Sequence, residues 1–233
     1  MAEYYVKIRN EKIIMSIRNY KNASKIKMYF KNQKLIVTKP KKVSINAVIQ
    51  LINEKEEELY TMYKKSIQKQ EKYEKKWQTG EEILYKGEEY QIIRTGEDKE
   101  RFINIDIDEQ EKQIKIVVPA ELKDSDLKTT IDKGIKQLFK NNTYAMLQYK
   151  LPYWSKETGI QYKEFNVRDA VSKYGSCVPA KQKLHFSSRL IMLPENAVDA
   201  IIVHELCHMV YHNHSKQFYD LVKKYKPDYE RNW

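Results

Sequence analysis

Apolar residues alternate with polar ones in two separate stretches of the chain. Each stretch then changes to helical spacing after a proline and a serine. In the first, Ile26, Met28 and Phe30 alternate, Lys31-Asn32-Gln33-Lys34 makes a turn, and Leu35 and Val37 resume the alternation. Pro40 ends the strand, and Ser44 opens a helix with Ile45, Val48, Ile49, Ile52 and Leu59 on one side. In the second, Ile103, Ile105 and Ile107 alternate, Asp108 to Lys112 turns, and Ile114, Ile116 and Val118 follow. Pro119 closes that strand, and Ser125 opens a helix carrying Leu127, Ile131, Ile135, Leu138 and Phe139. Side chains repeat every two residues in a strand and every 3.6 in a helix, so the switch of period marks the switch of element. Further strand-like sequence precedes each copy: Tyr4 to Ile17, and Ile83 to Arg94 with a turn at Lys86-Gly87. The pattern predicts a degenerate internal repeat of strand, hairpin and helix, packed as α+β layers.

Beyond the second copy, Lys163 to Arg168 reads as a short strand and Lys173 to Cys177 as a tight turn. Lys183 to Ser188 reads as another strand. Pro194 and Glu195 start a helix that continues through the apolar run Ala197 to Val203, proline being favoured in a first turn. Gln78-Thr79-Gly80 is the best break in the chain. It suggests a module over 1–78, made of β-hairpin plus helix, and a second domain over 79–233.

The apolar run leads into His204-Glu205-Leu206-Cys207-His208. Residues four apart share one helix face, so His204 and His208 can present two imidazoles to one metal ion. Glu205 sits about 100° further round, beside the ion, where a carboxylate can take a proton from the attacking water. His-Glu-x-x-His on a helix is the zinc-hydrolase pattern, and each residue type has a chemical task in it. The chain has five histidines, and four of them lie between 204 and 214, so the clustering is a feature of this segment. His214 stands ten residues after His204, which requires the helix to end and the chain to turn back. Asn213, tolerant of left-handed angles, suits that turn, and Ser215 caps a following helix over Lys216 to Lys224.

His212 is a rival third ligand if the helix runs on. Three ligands in one helical row would be nearly collinear, and this favours His214. His185 reads as a strand residue with a possible supporting role toward an imidazole. A distant glutamate ligand would have to be Glu230, close to the C-terminus. A metzincin arrangement needs glycine where Tyr211 stands and a methionine downstream of the site, whereas Met209 is the last in the chain.

Only Cys177 and Cys207 are present, so there is no disulfide framework, and a reducing, cytoplasmic setting is expected. Cys207 points off the ligand face and reads as a small core residue. No signal peptide or membrane-length apolar run is visible. Residues 1–80 hold 19 Lys+Arg against 8 Asp+Glu, and the remainder holds 24 of each, so the whole net charge of +11 lies in the N-terminal third. Such a segment is either a solvated surface or a contact for nucleotides or nucleic acid. No aromatic stacking motif accompanies it in sequence.

Tyr174-Gly175-Ser176-Cys177, Leu184 to Arg189-Leu190, Pro194 and the helix ending in His212-Asn213-His214-Ser215 resemble the YgjP-like metallopeptidase family. That family is related to the SprT-like and WLM proteases of the zincin group. The resemblance is sharp from Arg168 to Tyr229 and looser over the rest, including the Phe30 to Pro40 hairpin and the Tyr85-Lys86-Gly87 turn. Where the family has Arg-Trp before Gly-Ser-Cys, this chain has Lys173-Tyr174, again a cation and an aromatic. The resemblance implies a zincin-like helix–sheet–helix catalytic core preceded by the β-hairpin/helix units. It also implies one Zn²⁺ per chain on His204, His208 and His214, with Glu205 as catalytic base. Tyr174, Arg168 and Arg189 are candidates for substrate or transition-state contacts.

Three functions are compatible with these residues. The first is a zinc metallopeptidase acting on a peptide or unfolded protein, with substrate added to a strand edge. The second is a metal-dependent nucleoside triphosphate phosphohydrolase, with Lys173, Arg168 and Arg189 around the phosphates. The third is a binding module with structural zinc, closed by Cys177 or His212, or a protein tethered to nucleic acid. No membrane role is expected.

Overall fold

The structure is a computed structural model and describes residues 3–20, 24–73, 75–97, 102–119 and 124–229. The chain divides into two compact units, Met1–Lys75 and Lys76–Trp233. Among the described residues no helix is long and apolar enough to cross a membrane.

The first unit contains β1 (Glu3–Ile8), β2 (Glu11–Tyr20), β3 (Lys27–Lys31), β4 (Lys34–Pro40), α1 (Ile45–Glu54) and α2 (Glu56–Tyr73). Its sheet order is β1-β2-β4-β3, with two antiparallel outer pairs around a parallel inner pair. One face buries Ile8, Ile13, Met15, Leu35 and Val37 against Val48, Ile52, Leu59 and Tyr63 of the helices. Ser44 caps α1, its hydroxyl accepting from the Ala47 N–H at 3.1 Å. The helical pattern expected to run on from Ser44 is interrupted at Lys55, so that α2 starts afresh with Glu56, Glu57 and Glu58 in its first turn.

The second unit begins with β5 (Glu82–Tyr85), β6 (Glu88–Glu97), β7 (Asn104–Asp108) and β8 (Gln113–Pro119), in the order β5-β6-β8-β7. This is the arrangement of the first sheet repeated, with the same parallel inner pair. Its apolar face packs Tyr85, Tyr90, Ile92, Ile114 and Ile116 on Leu127, Ile131, Ile135 and Phe139 of α3 (Asp124–Thr158).

α3 is longer than its apolar stripe suggests, at 35 residues. Its far half enters a second core, where Leu147 and Leu151 meet Val167, Leu184, Phe186, Leu190, Ile201 and Leu206. That core lies between α3, a three-stranded sheet and α4 (Glu195–Cys207). The sheet order is β10 (Gly175–Val178), β11 (Lys183–Ser187), β9 (Glu164–Arg168), with β11 antiparallel to β10 and parallel to β9. The opposite side of α4, through Ala200, Val203 and Cys207, packs on Phe218 and Val222 of α5 (Lys216–Tyr225) and on Tyr229. α4 is thus enclosed on two sides, which is why its sequence is apolar almost all round. Asp199 ties it to α3, accepting from Lys150 Nζ and Trp154 Nε1, each at 2.9 Å.

Two local expectations are revised. Residues 173–177 do not form a tight turn, because Gly175 to Cys177 belong to strand β10. The turn to β11 comes later, at Pro179–Lys181 with Gln182 in the left-handed region. The reversal after α4 bends at His212 and Asn213, but Asn213 does not take the left-handed angles expected of it. The helix instead tightens as it ends: Met209 N–H donates to Leu206 O at 2.9 Å and Val210 N–H to Cys207 O at 3.0 Å.

Candidate metal centre

α4 delivers His204 and His208 on one face. His208, the C-cap, keeps helical angles (φ −66, ψ −14), so the four-residue relation to His204 survives the helix end. The chain then folds back, and Ser215 caps α5, its hydroxyl accepting from the Phe218 N–H at 3.3 Å. This reversal brings His214 over His204. The Nε2 atoms of His208 and His214 each lie 3.1 Å from His204 Nε2. Two imidazole nitrogens bound tetrahedrally at 2.0–2.1 Å to one ion stand about 3.3 Å apart, so this donor set fits a zinc-sized cation. His204, His208 and His214 are the cluster of potential ligands found among the described residues, with neither Cys177 nor His212 included.

Two imidazoles have their other nitrogen occupied. For Nε2 to face a metal, Nδ1 must carry the proton. In that tautomer His204 Nδ1–H donates to the Tyr229 hydroxyl at 2.8 Å, and His208 Nδ1–H to the Tyr211 carbonyl at 3.0 Å. The Phe218 ring stacks on His208 at 4.5 Å between centroids. Burial, with His208 and His214 adding to it, lowers the His204 pKa to about 4, so the imidazole is neutral near pH 7. Burial likewise lowers that of His208, against an opposing pull from the Tyr211 carbonyl.

Glu205 is 6 % exposed, and its Oε2 has no hydrogen-bond partner. Burial raises its pKa to about 7, and the Lys173 ammonium draws it part of the way back. A buried carboxylate with a free oxygen beside three converging nitrogens suits transfer of a proton from a water held there. Gly175 of β10 leaves room for it: a Cβ at Gly175 would lie 2.6 Å from Glu205 Cγ and Oε1.

His204, Glu205, His208, His212 and His214 open onto a cleft of about 750 Å³. Its other wall is formed by Ser172 to Cys177, with Tyr229 also lining it. Tyr174 therefore faces the cleft. Arg189 does not line it. Its Nη1 donates to the Val171 carbonyl at 3.2 Å, and its guanidinium sits 5.8 Å from the Tyr174 ring centre, bracing the wall from behind. Arg168 lies away on β9, 3.1 Å from His185 Nε2. His185 also bonds Asn166 at 2.6 Å, and it is among neither the ligand cluster nor the residues lining the cleft. Glu230 lies outside the described residues. Tyr229, the partner of His204, was not legible from sequence. It stands 25 residues from that histidine, and nothing local marks it.

A buried helix bearing two histidines and a glutamate, an edge strand beside it and a third histidine on the return define a metal-dependent hydrolase of the zincin type. The YgjP-like metallopeptidase domain matches residues 24–232, so the chain belongs to the YgjP-like metallopeptidase family. Among solved structures it is similar to the metallopeptidase zymogen abylysin of Pyrococcus abyssi, with 18 % identity and a TM-score of 0.33. That match covers 36 % of this chain and 89 % of the other. No curated protein matches the chain.

Proposed function

We propose that the protein is a zinc metallopeptidase that cleaves an extended segment of an unfolded protein. One Zn²⁺ per chain is held by Nε2 of His204, His208 and His214. The observation that carries this is the convergence of those atoms, His208 Nε2 and His214 Nε2 each 3.1 Å from His204 Nε2, next to a buried carboxylate with an unpartnered oxygen. When bound, zinc supplies the Lewis acidity that brings the pKa of a water to about 7 and polarises a carbonyl. Glu205 takes the proton of the attacking water on its carboxylate and passes it to the leaving nitrogen. Burial, which raises its pKa in the metal-free protein, favours its holding the proton between the two transfers.

β10 positions the substrate. It is an edge strand, bonded on one side to β11. Ser187 N–H donates to the Tyr174 carbonyl at 2.8 Å, so Tyr174 and Ser187 form a hydrogen-bonded pair. Alternation along the antiparallel ladder then turns the N–H and C=O groups of Gly175 and Cys177 to the free edge. A substrate added there runs beside Glu205 and completes the sheet. Tyr174, on the same wall, is the donor placed to meet the developing oxyanion. Arg189 positions Tyr174. Arg168 supports β9 through His185.

A phosphohydrolase needs cations around its phosphates. Of Lys173, Arg168 and Arg189, Lys173 alone lines the cleft, which favours the peptidase. Both cysteines are free, in keeping with a reducing, cytoplasmic location.

The test is cleavage of an unfolded protein by zinc-loaded enzyme, with Glu205→Gln alongside and metal content measured in both. The expected result is cleavage by the wild type and none by the variant, each carrying one zinc. Undiminished cleavage by Glu205→Gln would overturn the assignment, as would phosphate release from nucleotides without any proteolysis.

A further inference from the structure

The two four-stranded sheets share one strand order, yet their helix-free faces are chemically opposite. In the first unit, Ile13, Met15, Leu35 and Val37 point to the helices. Their neighbours in each strand therefore point the other way. That outward set includes Tyr5 of β1, Tyr20 of β2 and Tyr29 of β3, which are 66 %, 52 % and 39 % exposed. The same parity puts Lys7, Lys12, Arg18, Lys27, Lys31 and Lys34 on this face, and none of its described side chains is acidic. Lys12 Nζ lies 4.5 Å from the Tyr5 ring centre. In the second unit the corresponding face carries Glu82, Glu89, Asp106 and Asp108, with Lys115 the one cation among its described side chains. Lys115 is itself paired with Asp108 at 2.7 Å. The fold does not demand a basic, aromatic surface, since its own second copy lacks one.

We propose that the helix-free face of the first sheet binds single-stranded nucleic acid. The lysines and Arg18 follow the phosphates, and the tyrosines receive unpaired bases. Tyr5 pairs in register with Ile14 on one edge, and Tyr29 with Ile36 near the other. Three strand spacings separate their strands, roughly 14 Å, which suits bases several nucleotides apart along one chain. Ile14, Ser16, Ile36 and Thr38 lie between them on this face, Ser16 and Ile36 buried and Ile14 and Thr38 half-buried. Four-stranded sheets that bind single strands stack bases on exposed rings in this way, and stacking tolerates any sequence. A duplex offers phosphates but keeps its bases stacked inside. An acidic protein surface would satisfy the cations and leave the separated rings without partners. Sequence shows the charge but not this surface, because Tyr5, Tyr20 and Tyr29 come together only through strand parity.

The test is fluorescence anisotropy of a short, labelled, mixed-sequence DNA single strand with the full chain, its duplex serving as competitor. Tighter binding of the single strand is expected. Tyr5→Ala and Tyr29→Ala should each weaken it about tenfold, and Tyr5→Phe should leave it unchanged, which separates lost stacking from lost folding. Lys12→Gln combined with Lys27→Gln should lower the salt slope by about 1.4, or 0.7 for each phosphate contact. No binding at low salt, or equal binding of duplex and single strand with no response to the tyrosine substitutions, overturns the proposal. The reading is the same on Glu205→Gln protein, so it stands or falls apart from the peptidase assignment.

Discussion

Gly175 lies against Glu205 so closely that an added Cβ would meet Oε1 at 2.6 Å. The backbone at Gly175 is not left-handed, so space alone demands the glycine. The obstructing atoms belong to a side chain, which can swing aside where backbone could not. Gly175→Ala should therefore fold and keep its zinc while displacing the carboxylate. A misplacement of about 1 Å costs on the order of 100-fold in turnover, and that is the expected fall in kcat. Metal analysis and peptide kinetics on the same preparation check it. Wild-type kcat in Gly175→Ala would show that Glu205 need not sit where it does.

The Tyr229 hydroxyl lies 2.8 Å from His204 Nδ1 and orients the ring, accepting its proton when Nε2 faces a metal. Removing such a partner from a metal-bound histidine typically weakens metal binding about 10- to 100-fold. Tyr229→Phe keeps the ring that stacks on His204 and deletes only the oxygen. The expected result is zinc affinity reduced within that range, read by competition with a chromogenic chelator. Unchanged affinity would mean that packing alone orients His204. His212→Ala is the natural comparison, because His212 lines the cleft but stands outside the ligand cluster. It should leave zinc affinity as it was.

Features that obey a local rule were legible in the chain itself. The four-residue spacing of His204 and His208, the Ser44 and Ser215 caps and the alternation in both hairpins depend on neighbours in sequence, and each appears where its pattern stands. What escaped depends on distant neighbours. Gly-Ser-Cys reads as a turn, yet β11 and Glu205 recruit it into a strand. α3 outruns its apolar stripe because Thr143 and Lys150 in its far half bond to Ser188 and Asp199, 45 and 49 residues away. Tyr229 reaches His204 only after α5 has folded back. The helix break at Lys55 left no Pro or Gly to announce it.

Gly87 presents the opposite case from Gly175. Its φ is +83, and a Cβ there would meet Pro194 Cα and Cβ at 2.6 Å. The turn is also bonded, Gly87 N–H donating to Met192 O at 3.1 Å and Lys86 N–H to Ile191 O at 2.7 Å. Neither the proline ring nor its backbone can yield without moving the start of α4. Gly87→Ala should cost about 3 kcal/mol, combining left-handed strain with overpacking. Urea unfolding measures it, and a loss below about 1 kcal/mol would show that the hairpin detaches freely from the α4 entrance. Displacement of the whole turn should also disturb the metal helix, so zinc retention is expected to fall together with stability.

Glu205 sets stability against function in a way that pH exposes. In the metal-free protein, burial raises its pKa from 4.5 to about 7. The native state thus binds a proton more tightly than the unfolded chain, and stability must fall as pH rises from 4.5 through 7. The gap corresponds to about 3 kcal/mol. His204 shifts the opposite way, its pKa lowered to about 4, and adds stability between pH 4 and 6.5, so the wild type alone shows a mixed profile. Comparison with Glu205→Gln isolates the carboxylate, because both proteins share His204. In chelator-treated samples the variant should match the wild type near pH 4.5 and exceed it by up to about 3 kcal/mol at pH 8. Denaturant midpoints at the two pH values decide the matter. A variant no more stable than wild type at pH 8 would mean that the ionised carboxylate is solvated within the cleft.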